Sequence, residues 1–201
     1  MGSGGGVSGP YRVGVNSAFP LKAATTAKCS VGRERDNVPW MMEPIALEFE
    51  ILPGAPGWAT CTVRSGPRSV GIGPFSHVLS DGLDDLVRAA TTIVSGAGQQ
   101  TFSMDAEPEP RWEWSLNRNS VSRSRPSELE VTITRFDDVT FGIGEEVLRT
   151  VCDPDDFGRA VVSAIKAMMA SESPESLRRR WSRLPERALA SLESALDLRR
   201  H

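Results

Sequence analysis

Residues 44–51 read Pro-Ile-Ala-Leu-Glu-Phe-Glu-Ile, and here an aperiodic sequence gives way to strict alternation. Ile45, Leu47, Phe49 and Ile51 fall on one side, and Ala46, Glu48 and Glu50 on the other. A period of two with one apolar face predicts a β-strand with one buried side. The breakers Pro53-Gly54-Ala55-Pro56-Gly57 predict a turn. Trp58 to Arg64 then reads as a second strand and Arg68 to Gly73 as a third, separated by Ser65-Gly66-Pro67. The pattern predicts an antiparallel meander.

The period next changes. Leu79, Leu83, Leu86, Val87, Ala90, Ile93 and Val94 recur at spacings of three and four, the stripe of a helix lying on a sheet. Ser80 or Asp81 can cap it, Asp84 and Asp85 suit its positive end, and Gly96 and Gly98 stop it. Three more strands are predicted: Gln99 to Met104, Arg111 to Asn117 with Trp112, Trp114 and Leu116 on one face, and Glu128 to Phe136 with Leu129, Val131 and Ile133 on one face. The chain ends helical. Asp153 is placed as N-cap, Pro154 at the first helical position and Asp156 two residues on, and Ser173-Pro174 and Leu184-Pro185 restart the pattern. The expected fold class is α+β: a mostly antiparallel sheet of about six strands, packed by helices on one face, with a helical tail over 154–201. Upstream of this domain, assigned to 44–201, residues 1–43 hold no sustained period and read as a flexible N-terminal extension.

Composition is that of an ordinary globular chain, 201 residues with 39% hydrophobic and 24% charged side chains, large enough to build a core without disulfides or metals. Cys29, Cys61 and Cys152 are odd in number and widely spaced, so they predict neither a disulfide framework nor a zinc site, and they suit a reducing cytoplasm. No run approaches the roughly 18 apolar residues of a membrane span. Positions 44–173 carry 11 Arg or Lys against 19 Asp or Glu, a balance of −8, whereas 174–201 carry 7 against 4, or +3. An acidic body argues against a general nucleic-acid binder, whose affinity rests on cations facing phosphates.

The side chains that could carry chemistry are few. Only His77 and His201 are present, and His77 alone could serve as a general base. No serine or cysteine sits in a nucleophile elbow, and Gly71-Ile72-Gly73 and Gly142-Ile143-Gly144 do not continue into phosphate-binding loops. The acid pairs Asp84-Asp85 and Asp155-Asp156 are explained by helix first turns. Asp137, Asp138, Glu145 and Glu146 flank a loop after a strand and are candidate binding residues, either as solvated acids or as carboxylates around a pocket. Trp112 and Trp114 are further candidates, since two indoles on one strand face suit stacking as well as a core. Arg178, Arg179, Arg180, Arg183 and Arg187 surround Trp181; the pattern fits a nucleic-acid surface, or a helix whose Leu177 and Trp181 face the body while the arginines are solvated or pair with its acids, and the second is expected. No catalytic residue, metal ligand or cofactor is assigned.

The segments LSDGLDDLVRAATTIVSG (79–96), RWEWSLNR (111–118), LEVTITRFDD (129–138) and DFGRAVVSAIKAMM (156–169), in that order, resemble a family of small actinobacterial proteins similar to the WapI-type immunity proteins of contact-dependent toxin systems. The resemblance covers about 44–200 and is one of pattern. It implies an α+β fold and a cytoplasmic, non-enzymatic protein-binding module that blocks a cognate toxin, with neither nucleic acid nor membrane as partner. The alternative from the residues themselves is a small-ligand binder or an acid-dependent hydrolase using the loop carboxylates.

Overall fold

The structure, a computed structural model, describes residues 46–76, 81–106, 110–119, 127–137, 142–181 and 184–199. Residues 1–43 and the candidates His77 and Asp138 lie outside the described residues. The first sheet is the expected meander of β1 (Leu47–Pro53), β2 (Trp58–Ser65) and β3 (Arg68–Ser76), antiparallel throughout. Its inner face follows from the alternation: Phe49 stands opposite Val63 and Ile51 opposite Cys61. The β2–β3 register shifts between Ala59 and Cys61, which lets β3 run on to Ser76. Gly73 sits at that irregularity with φ 115°. A Cβ there would lie 2.9 Å from the Ala59 carbonyl oxygen, so only glycine fits.

The second sheet holds four antiparallel strands in sequence order, β4 (Gln99–Asp105), β5 (Arg111–Asn119), β6 (Glu128–Phe136) and β7 (Glu145–Cys152). The chain is thus α+β, but the seven strands among the described residues form two sheets where about six in one were expected. β7 is the strand that the sequence pattern hides. Leu148, Thr150 and Cys152 point inward, but Val147 and Val151 place apolar groups at the alternate positions, and the register against β6 shifts between Ile133 and Thr134. A bulge of this kind erases the period of two. Glu145 and Glu146 begin this strand, directly after the non-strand residues 142–144 that follow β6.

Helix α1 (Gly82–Val94) buries the whole predicted stripe from Leu83 to Val94. Asp81 is its N-cap residue, without a side-chain cap hydrogen bond. The other end has no basic residue of its own and is closed from a distance: Arg118 of β5 donates to the Ile93 carbonyl at 2.9 Å, and Arg199 donates to the Val94 carbonyl at 2.7 Å. Cations at a helix C-terminus satisfy its free carbonyls and its dipole together. At the start of α2 (Pro154–Ala170), the Asp153 carboxylate accepts from the Asp155 and Asp156 amides, as the sequence predicts. The tail continues with α3 (Pro174–Arg180) and α4 (Glu186–Leu198), and Leu177, Trp181, Leu189, Leu192 and Leu196 are all buried. α3 is fastened to the β1–β2 turn, where the Gly57 amide donates to the Arg180 carbonyl and the Arg180 guanidinium donates to the Gly54 carbonyl.

One core joins these layers. Trp114 is fully buried, stacked on Phe102 of its own sheet at 5.3 Å and on Phe49 of the first sheet at 6.2 Å, while Phe49 meets Phe157 of α2 edge-on. The Trp114 indole N–H has no hydrogen-bond partner among the described residues. Leaving it so costs about 1–3 kcal/mol. Burying an indole of roughly 150–250 Å² contributes on the order of 4–6 kcal/mol, so packing decides the position. A buried hydroxyl pair, Ser65 of β2 with Thr150 of β7 at 2.7 Å, also bridges the two sheets.

Candidate functional site

Alternation that drives Trp112, Trp114 and Leu116 inward turns Glu113, Ser115 and Asn117 outward. Their registered neighbours make cross-strand rows on the outward side of the second sheet: Thr101, Ser115, Thr132 and Arg149 in one, Ser103, Glu113, Thr134 and Glu146 in the next. All of these side chains are half-buried or exposed. The described helices meet the core through their buried apolar stripes, and none of those stripes lies on these rows. The cations of the face are already engaged, since Arg149 contacts Glu130 at 3.3 Å and Glu146 at 2.7 Å, and Arg111 lies 3.5 Å from Asp105. The Arg149 guanidinium, by hydrogen bond first, holds the Glu146 carboxyl below its ordinary range. Glu113 and Glu128 have no ion-pair partner among the described residues, so the charge this face can offer is negative.

The candidates from the sequence separate. Trp112 and Trp114 are 3% and 0% exposed and belong to the core, where they present no stacking surface. Asp137, Glu145 and Glu146 are exposed at the β6–β7 end of the sheet. Asp137 ion-pairs with Arg135 at 2.8 Å, and Arg135 is the register partner of both Trp112 and Glu145. Asp137 and Glu146 are thus each held by an arginine, Arg135 and Arg149, and do not form an acid pair with each other. The outward Ser and Thr rows were legible as the polar alternates of RWEWSLN and LEVTITR, but attention to the indoles leads to the opposite face of the same strands.

A separate cleft of about 470 Å³ opens where the first turns of α1 meet the approach to α4. Trp181, 2% exposed, and Pro185 lie beneath it, and Asp84, Arg88, Arg178 and Arg187 stand around it. Asp84 and Arg88 are paired with each other. Deeper in α1, burial and the neighbouring Asp81 and Asp84 raise the Asp85 carboxyl above its ordinary pKa.

Cys61 and Cys152 are buried and free, and burial pushes both thiols up to about 12. Among the described residues no group of three or more His, Cys, Asp or Glu side chains could hold a metal ion, and no helix is long and apolar enough to cross a membrane. No protein-family model, curated protein or solved structure matches this chain.

Proposed function

We propose that this chain is a cytoplasmic, non-enzymatic protein-binding module that blocks a cognate toxin, and that the outward face of β4–β7 is its contact surface. The observation that carries the proposal is the cross-strand field of Ser115, Thr132, Thr134 and Glu113, a face that no apolar stripe of the described helices covers, on a sheet whose other side is fixed by Trp114 and Phe102. Short hydroxyl side chains on a rigid sheet lose little conformational entropy when a partner covers them. Unpaired carboxylates at Glu113 and Glu128 favour a partner whose own surface is basic, and such complementarity speeds encounter. The resemblance of the sequence to immunity proteins supplies the toxin as the partner class. The alternative built on Asp137, Asp138, Glu145 and Glu146 draws no support from where the described acids stand.

The test takes as its probe any polymorphic toxin found encoded directly upstream of this chain's gene, and a metabolic operon in that place would count against the reading. Co-expression should rescue growth, and titration calorimetry should show a stoichiometric complex. A Ser115→Arg/Thr132→Arg variant with an unchanged melting temperature should lose both effects. Absence of a complex with the wild-type chain refutes the function, and full binding by the folded variant refutes the assigned face.

A further inference from the structure

Most described arginines are occupied: Arg64, Arg88, Arg111, Arg135, Arg149, Arg159, Arg179, Arg180 and Arg199 in ion pairs, and Arg118 on a helix carbonyl. Arg68, Arg178 and Arg187 are not, and the last two lie together. Neither side chain has an ion-pair or hydrogen-bond partner among the described residues, although they come from different helices, and both line the cleft over Trp181. Of the acids around them, Asp84 is held by Arg88, whereas Glu186, in the first turn of α4, has no ion-pair or hydrogen-bond partner among the described residues. Asp81 also makes an interaction of its own. The groups of the cleft without a partner among the described residues are therefore two guanidinium groups against one carboxylate, an excess of positive charge, and the planar guanidinium forks match oxyanions in geometry as well as charge. A volume of about 470 Å³ lies in the range of small-molecule sites.

We infer that this cleft is a second binding site, independent of the sheet face, which takes the phosphoryl or carboxylate group of a small ligand between Arg178 and Arg187. The test is NMR of the full chain, following arginine Nε–Hε signals while inorganic phosphate, and in a second arm citrate, replaces chloride at constant ionic strength. Arg178 and Arg187 should shift saturably and together, while the exposed Arg64 and Arg179 stay fixed. The two arms show which oxyanion the cleft prefers. Arg178→Gln and Arg187→Gln should each weaken binding roughly tenfold, the loss expected for one charge-assisted hydrogen bond. Shifts that never saturate, that spread equally to Arg64 and Arg179, or that survive both substitutions would overturn the site.

Discussion

Gly158 lies in the second turn of α2, where α1 and α4 close over it. In an open helix, alanine would be preferred to glycine by about 0.8–1.0 kcal/mol. A Cβ at Gly158 would instead stand 2.8 Å from Val94 Cγ2, 3.3 Å from Leu196 Cδ2 and 3.5 Å from Leu192 Cδ1. Ordinary carbon contacts lie near 3.5–4.0 Å, so the Val94 methyl must retreat by roughly 0.7 Å or more. The Leu196 terminus can turn aside, but a valine within a helix has essentially one χ1 rotamer, and Val94 is fully buried. The helices must then separate, and overpacking of this kind costs about 1–3 kcal/mol. Gly158→Ala is expected to lose about 1 kcal/mol net, a fall in Tm of roughly 2–4 °C, read by thermal and urea unfolding. On a Val94→Ala background the obstructing methyl is gone, and the same substitution should recover most of the helix preference, giving a coupling of at least about 0.5 kcal/mol. A single Gly158→Ala variant more stable than the wild type would refute the close helix contact and the reasoning with it.

Two further expectations concern the tail and the thiols. Trp181→Ala should cost about 3 kcal/mol or more in urea unfolding, because it empties a buried site at the end of α3, whereas Arg179→Glu should leave the midpoint unchanged, its pair with Glu175 being open to solvent. Cys61 and Cys152, raised from 9.0 to about 12 in the folded chain, favour folding fully below pH 9. That contribution should be lost progressively as the pH rises from about 9 toward 12, because only the unfolded chain ionises freely there. In a Cys29→Ser background the two thiols should resist a water-soluble thiol reagent at pH 8 until denaturant is added; rapid modification of the native chain would contradict their burial.

The strands that carry the candidate residues were legible, and Trp112 and Trp114 lie in the core, the reading their shared face favoured. RWEWSLN declares two faces by its alternation, but not which of them meets a partner. Trp114 fits both a stacking platform and a core residue until Phe49 and Phe102, far apart in sequence, are seen against it. Likewise Asp137 and Glu146 read as candidate carboxylates around a pocket until Arg135 is found on the one and Arg149 on the other. The arginine run 178–187 shows the opposite case. Its helical spacing foretold the burial of Leu177 and Trp181, but which guanidinium groups would find partners depended on Gly54 and Glu172 for Arg180, and on Glu175 for Arg179.

Local physics was written in the sequence wherever neighbours along the chain settle the outcome: the strands with one apolar face, the stripe of α1, and the Asp153-Pro154 start of α2, since period and capping act over a few residues. Tertiary structure alone decided the rest. The division into two sheets, the recruitment of the bulged β7, the closure of α1 by Arg118 and Arg199, and the need for glycine at 158 all arise from groups tens of residues apart, whose meeting depends on how layers pack and not on the propensity of any segment.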